Sequence, residues 1–522
     1  MLDPVAMPHL ADIPRVQGKR LADEAAIWFE GDTTTFAELD ARANQVANGL
    51  VALGCGPNDR VAYLGKNMGV YYEMLFGCAK SRTAMTGINN RLAPPEMQFI
   101  LSDSKAKVLF VASEFYEVAS QIVSECPDLT QIIAIDGGHD TWPAYKAWRD
   151  RQNAQAPGLK TRDDDDVIQL YTSGTTGLPK GVMLTNANYN AVFREASKLD
   201  WAAYDEGDAV MNAMPLFHVA GCNIGILASA QGAQTVILRE IDPATIIDLV
   251  EEHRIAHAFW VPAVILMLSQ LPGVDERDFS SLKTISYGAS PIAEDLLKRA
   301  VDLFGAKFSQ LYGLTETVGL GTYLPPEAHD PAWGKLRSCG VPYPGSVVRV
   351  VDENDKPLPQ GEVGEIVIRD AFVMKGYWNR ADATEKALAN GFFHTGDAGY
   401  FDEDGFLYIH DRIKDMIVSG GENIYPAEVE NALFGHPSIA DVAVIGIPSE
   451  KWGEEVKAIV VLKDGHEPDT ASIIAWAKEK IASYKCPKSV DFVGALPRNP
   501  SGKILRRELR EPYWEGVERR VG

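Results

Sequence analysis

The sequence predicts an α/β protein: a large amino-terminal domain of several subdomains with mixed and parallel sheets, then a small α+β carboxy-terminal domain. Three observations predict it. A chain of 522 residues exceeds what one ordinary core organises, so two to four domains or subdomains are expected. Helical and strand-like stretches alternate to about residue 410, the pattern of an architecture with substantial parallel sheet. From about residue 415 the pattern changes to a compact tail of apolar strand-like and helix-like runs, with no repeat and no long low-complexity linker before it.

Near the amino terminus, Thr35-Phe36-Ala37-Glu38 has the spacing of a capping box, and Leu39, Val46, Leu50 and Leu53 follow at near-helical intervals until Gly54. An amphipathic helix is expected there, leading into a strand at Arg60-Val61-Ala62-Tyr63-Leu64. The run Asp163 to Asp166 reads as a solvated turn, because four adjacent like charges repel and resist burial. Val167-Ile168-Gln169-Leu170-Tyr171 then reads as a strand that delivers the next segment to its carboxyl end, where open α/β sheets place ligands. In the tail, Val442 to Ile445 and Ala458 to Leu462 read as strands and Ala471 to Ile481 as a helix.

Nearly half the residues are apolar and about a quarter charged, a globular composition. A formal net charge of -22 argues against nucleic-acid binding, which needs clustered Lys and Arg. No apolar run reaches the roughly 18 to 20 residues that span a bilayer, and Met1 to Pro14 lacks the basic-then-apolar pattern of a secretory signal. A cytoplasmic protein without a transmembrane segment is expected, and the oligomeric state stays open, a homodimer included. Cys55, Cys78, Cys126, Cys222, Cys339 and Cys486 are scattered without a paired spacing, so reduced, buried thiols are expected and no zinc cluster.

One loop stands out. Tyr171-Thr172-Ser173-Gly174-Thr175-Thr176-Gly177-Leu178-Pro179-Lys180-Gly181 packs glycines, hydroxyls and a lysine together. Glycines let backbone N–H groups approach an anion, hydroxyls add donors, and lysine adds a mobile positive charge, so the composition is phosphate-binding. Its spacing is not that of the ordinary nucleotide-triphosphate loop.

This string resembles the signature loop of the superfamily of acyl-CoA synthetases, peptide-synthetase adenylation domains and luciferases. Four further strings resemble its remaining signatures in the same order: Tyr312-Gly313-Leu314-Thr315-Glu316-Thr317, His394-Thr395-Gly396-Asp397, Asp411-Arg412-Ile413-Lys414-Asp415, and Pro497 to Leu505 with Ser501-Gly502-Lys503 at its centre. The resemblance spans nearly the whole chain. It implies an ATP-dependent ligase that joins a carboxylic acid to AMP, releases pyrophosphate, and passes the acyl group to coenzyme A.

The resemblance also implies roles. Thr172 to Gly177 and Lys180 would hold phosphate, with Thr175 and Thr176 acting alongside Lys503 in the adenylation step. Glu316 would hold Mg²⁺, which commonly takes one or two carboxylates plus phosphate oxygens. Gly288-Ala289-Ser290, Tyr312, Gly313 and Thr315 would form the adenine and phosphate side of the pocket, and Asp397 and Arg412 would bind ribose. Lys503 sits among Pro, Asn, Ser and Gly, an extended movable segment. Lys414 would be the hinge between domains 1–413 and 414–522, about which the small domain moves so that Gly420 and Gly421 come beside the pantetheine path.

Pro215-Leu216-Phe217-His218-Val219-Ala220-Gly221 resembles the border of the family's acyl pocket, with His218 near the carboxylate. Adenylation domains for amino acids carry an aspartate there to pair with the α-ammonium, a fixed charge His218 does not supply. Gly221, Cys222 and Gly225 are small, and Trp260, Val261 and Val318 are apolar, so an apolar acid is expected, fatty and of medium or long chain, or bulky and cyclic. Coumarate-like aromatic acids, and transfer to a carrier protein in place of coenzyme A, are the alternatives.

Overall fold

The computed structural model describes residues 2–172, 179–290, 292–412, 415–419, 422–449, 451–498 and 504–515. Thr35 caps the helix Phe36–Ala52 as its sequence predicts, the Glu38 N–H donating to its hydroxyl while its own N–H donates to the Glu38 carboxylate. That helix packs along Tyr71–Ser81, where Gly77 allows the approach: a Cβ there would lie 2.5 Å from Val46.

A seven-stranded sheet has Arg60–Leu64, Ala84–Gly87 and Asp166–Thr172 running parallel at its centre. At one edge Asp166–Thr172 turns back antiparallel as Lys180–Thr185, and the short strand Gly376–Tyr377 pairs on its outside. A nine-stranded sheet carries the parallel run Ala209–Asn212, His257–Trp260, Thr284–Gly288 and Lys307–Gly313. A third, antiparallel sheet ends in Phe393–Phe401 and Leu407–Arg412. Two large apolar cores result, one around Tyr63, Phe76, Val182 and Leu184, the other around Trp260, Tyr287, Phe304 and Phe308.

Strands from Ile417 onward pair in a fourth sheet, built on the hairpin of Ile439–Ser449 with Gly453–Leu462, with Ser489–Phe492 added parallel. Helices Pro426–Phe434 and Thr470–Lys480 close a separate core of Ile417, Val429, Val444, Ala458 and Ile473. The sheet partners therefore change between Arg412 and Ile417.

One expectation is overturned. The run Asp163 to Asp166 is not a solvated turn throughout, because its second half has dedicated cations. Asp165 accepts two bonds from Arg82, and Asp166, 2% exposed, accepts from Arg60 at 2.6 Å and Lys375 at 2.8 Å. Like-charge repulsion forbids burial only where no counter-charge is buried with it. All six cysteines are free and buried.

Candidate active site

The first signature hangs from a hairpin whose described ends are in register, Thr172 opposite Lys180. Residues Ser173, Gly174, Thr175, Thr176 and Gly177 lie outside the described residues. Their stem is held from behind by a closed set of polar contacts. The Tyr171 hydroxyl donates to Asp103 at 2.7 Å, Asp103 accepts from Arg380, and the Asp103 carbonyl accepts from the Trp378 indole. The Arg60 guanidinium stacks 3.8 Å from the Trp378 ring centre and donates to Gln169 and Asp166 on the stem itself.

The residues expected from the sequence to bind the nucleoside lie where two neighbouring parallel strands end together. Gly288 is in register with Leu311, one residue before Tyr312. A Cβ on Gly288 would lie 2.2 Å from the Leu311 carbonyl oxygen, so glycine is required for the two strand ends to close. Ala289 follows in the left-handed region at φ +67°, just past the strand end, with Ser290 next to it. Gly313 is equally constrained, since a Cβ there would meet Gly319 at 2.2 Å. The Tyr312 hydroxyl donates to Asp397 at 2.8 Å, which joins the second signature to the third. Asp397 stands opposite Arg412 across the antiparallel pair, which brings in the fourth.

Thr315 and Glu316 lie on a single helical turn, Thr315–Thr317. Glu316 is 8% exposed and accepts from the Tyr377 hydroxyl at 2.9 Å, while its carbonyl accepts from the Met374 N–H at 2.7 Å. The Lys180 ammonium lies 5.0 Å from the centre of the same Tyr377 ring. Lys180, Tyr377 and Glu316 thus stand in one row beside the hairpin end. Among the described residues no three His, Cys, Asp or Glu side chains form a metal cage. A single near-buried carboxylate is too small a protein donor set to hold Mg²⁺ alone, which commonly takes one or two carboxylates plus phosphate oxygens.

In the segment expected from the sequence to border the acyl pocket, His218 precedes the helix Val219–Gln231. Its Nε2 is buried without a hydrogen-bond partner among the described residues, and burial, helped by the Arg91 charge, pushes its pKa down to about 4. The imidazole is therefore neutral near pH 7. The segment leading to it is clamped from one helix start: Asn67 bonds the Met214 carbonyl and the Leu216 N–H, and the Tyr71 hydroxyl donates to the Leu216 carbonyl. Phe217 packs on Gly87, where a Cβ would come within 2.9 Å of the Phe217 backbone. Val318, at φ +53°, offers its carbonyl to Asn223 on the helix.

The small residues of that helix serve packing. A Cβ on Gly221 would lie 2.2 Å from the Pro215 carbonyl oxygen, and one on Gly225 would lie 2.1 Å from the Tyr72 ring. Cys222 is fully buried against Tyr71 and Tyr189. Trp260 is 0% exposed in the second core, its ring 5.3 Å from that of Phe304, and Val261 is buried beside it. These five residues are packed against protein.

A model of the AMP-binding enzymes matches residues 15–378, and a model of the AMP-binding enzyme C-terminal domain matches residues 428–503. The chain belongs to the AMP-binding enzymes. It is 41% identical over 499 residues to a fatty acid–[acyl-carrier-protein] ligase of Streptomyces coeruleorubidus, covering 95% of each chain. It is 40% identical over 502 residues to a feruloyl-CoA synthase of an Amycolatopsis species, covering 95% of this chain and 98% of that one. Among solved structures, an anthranilate CoA ligase in complex with anthranoyl-AMP superposes with a TM-score of 0.89 at 26% identity over 97% of both chains. This AMP-binding enzyme is an acid ligase that works through an acyl adenylate.

In this AMP-binding enzyme the fifth signature is closed at its base, Arg498 and Ile504 forming an antiparallel bridge, while Lys503 lies outside the described residues. Gly420 and Gly421 also lie outside them, between the paired Ser419 and Glu422, as does Lys414. Among the described residues no helix is long and apolar enough to cross a membrane. Sequence reasoning missed Tyr377 and the Arg60–Trp378–Asp103 group behind the hairpin. Lys375-Gly376-Tyr377-Trp378 has no phosphate-binding composition, and only strand pairing brings it to the site.

Proposed function

We propose that this ligase adenylates an apolar carboxylic acid, fatty and of medium or long chain or bulky and cyclic, and transfers the acyl group to coenzyme A. The observation that carries the substrate class is His218. A neutral imidazole with a buried nitrogen unpartnered among the described residues supplies no counter-charge for an α-ammonium, but it offers a hydrogen bond to an oxygen of the acid and lies with its ring 4.7 Å from that of Phe217. Leaving that nitrogen unsatisfied costs roughly 1–3 kcal/mol, which a bound acid would recover.

A carboxylate is ionised near neutral pH, its pKa being about 4. It attacks the α-phosphorus without a general base and pyrophosphate leaves, so the protein's task is positioning and charge compensation. Asp397, joined to Tyr312, would orient the ribose, and Gly288 with Ala289 and Ser290 would leave room for adenine beside the Tyr312 ring. Lys180 and Lys503, with Thr175 and Thr176, would bind the phosphates and draw charge from the departing pyrophosphate. Glu316 would hold Mg²⁺, and the bound ion would offset phosphate charge. In the second half-reaction the thiolate attacks the acyl carbon and AMP leaves with one former carboxylate oxygen. Rotation of 414–522 against 1–413 about Lys414 would withdraw Lys503 and bring Gly420 and Gly421 to the thiol path. The change of sheet between Arg412 and Ile417 supports that division.

The 41% identity to a ligase named for acyl-carrier-protein favours one second reading, transfer to a carrier's pantetheine thiol. The feruloyl-CoA synthase at 40% keeps aromatic acids in the panel. The test is AMP and thioester formation from ATP with fatty, cyclic and aromatic acids, each offered coenzyme A or a pantetheinylated carrier, with Lys503→Ala alongside. Acyl-CoA from apolar acids, lost in the variant, is expected. Thioester only on the carrier would replace the acceptor, and activity confined to amino acids would overturn the reading of His218.

A further inference from the structure

We propose that Tyr377 is a positioning residue for the metal–phosphate grip: its hydroxyl fixes the Glu316 carboxylate while its ring seats the Lys180 ammonium. The inference rests on Glu316 holding the divalent cation, as set out above, and assigns a role to a residue outside every signature string.

Tyr377 sits between two signatures that are far apart in sequence. Its backbone pairs with Val182 at the outer edge of the seven-stranded sheet, two residues from Lys180, so its ring lies beside the hairpin end. The Tyr377 N–H donates to the Thr384 hydroxyl at 2.9 Å, and the Trp378 N–H donates to the Gly181 carbonyl at 2.7 Å, which fixes the short strand on both sides. The strand also reaches back to the turn that bears Glu316, because the Met374 N–H donates to the Glu316 carbonyl. Glu316 is thereby held at its backbone by Met374 and at its carboxylate by Tyr377.

The geometry suits a carboxylate that must present one oxygen to a cation. An ionised carboxylate is acceptor-only, with two oxygens. The Tyr377 hydroxyl engages Oε1, which leaves Oε2 as the oxygen to present to a cation. Lys180 over the ring face makes a cation–π contact, which orients the ammonium without consuming any of its three donors. Among the described residues none accepts a hydrogen bond from that ammonium, so its donors are open to phosphate oxygens. One side chain therefore orients both the anion that takes the metal and the cation that takes the phosphate.

The test is equilibrium binding of Mn²⁺ by electron paramagnetic resonance to the full-length protein with a non-hydrolysable ATP analogue, which needs no turnover. Tyr377→Phe keeps the ring and removes the hydroxyl; about a tenfold weaker Mn²⁺ dissociation constant is expected, the scale of a lost hydrogen bond to a charged group, with analogue affinity in the absence of metal unchanged. Glu316→Gln should weaken Mn²⁺ at least as much, and the double variant should be no weaker than Glu316→Gln alone. Thr384→Val, which frees the backbone of Tyr377 but leaves its hydroxyl, should weaken Mn²⁺ less than Tyr377→Phe and serves if that variant does not fold. Glu316→Gln weakening Mn²⁺ while Tyr377→Phe and Thr384→Val both leave it within twofold would overturn the role of Tyr377 alone. Wild-type Mn²⁺ affinity in Glu316→Gln would overturn the metal reading, and this inference with it.

Discussion

Gly225→Ala separates two accounts of the helix Val219–Gln231. If Gly225 leaves room for the acid, an added methyl group shortens the pocket, changes chain-length preference and costs little stability. The structure gives the methyl group another neighbour. Its Cβ would lie 2.1 Å from Tyr72 Cζ and 2.4 Å from the hydroxyl oxygen, so the ring or the helix must retreat by about 1.3 Å to reach ordinary contact at 3.4 Å. Tyr72 is fully buried and cannot swing to solvent. Its hydroxyl accepts from the Gly225 N–H at 3.1 Å and the Asn212 amide at 2.9 Å, and donates toward the carbonyls of Gly221 and Cys222. Overpacking costs about 1–3 kcal/mol, and each hydrogen bond strained or lost adds about 1 kcal/mol. The expected penalty is therefore about 2–4 kcal/mol, read as a lower urea midpoint at unchanged slope. Relative kcat/KM across a series of acids should keep its order, with a uniform fall if His218 at the helix start is displaced. Wild-type stability with a shifted chain-length optimum would refute the packing argument.

Two other outcomes follow from the buried charges. Asp166→Asn removes the carboxylate that Arg60 and Lys375 share, leaving Arg60 buried with only neutral acceptors, Gln169 and the Asn58 carbonyl; a loss of about 3–5 kcal/mol and a raised KM for ATP are expected from melts and kinetics, and a neutral effect on both would contradict the account of the hairpin stem. Burial holds His218 and His329 down at about 4, against about 6.5 in an unfolded chain. The unfolded state therefore binds more protons between those values: their contribution is fully present above pH 6.5 and is lost as pH falls toward 4, by up to about 1.4 kcal/mol per pH unit for each group. Urea midpoints from pH 7.5 to 4.5 should fall in that window and fall less in His329→Gln, whereas a flat profile would show that the two imidazoles titrate alike in the folded and unfolded states.

Local chemistry was legible where neighbours in sequence are neighbours in space. The capping box at Thr35, the strand at Arg60 and the tail's strands and helix all follow from spacing within a few residues. The union of Tyr312 with Asp397 rested on motif order alone, and the hydrogen bond between them gives it a physical basis. What spacing cannot reveal is counter-charge and contact from afar. Asp165 and Asp166 read as solvated because Arg82 and Arg60 lie about a hundred residues upstream. Cys222 and Gly225 read as pocket space because nothing near them in sequence names Tyr71 or Tyr72 as the occupant, and Gly221 because spacing alone does not show the Pro215 carbonyl folded back against it. Tyr377 stayed silent for the same reason, its function depending on an edge strand's register.

The most direct test of the adenylate account follows oxygen. With a carboxylic acid labelled with ¹⁸O in both positions, unlabelled ATP and the thiol acceptor, mass spectrometry of the products should find one ¹⁸O in AMP for each thioester formed and none in pyrophosphate. Unlabelled AMP, or label in phosphate or pyrophosphate, would mean that the carboxylate does not attack the α-phosphorus, and the central claim would fall.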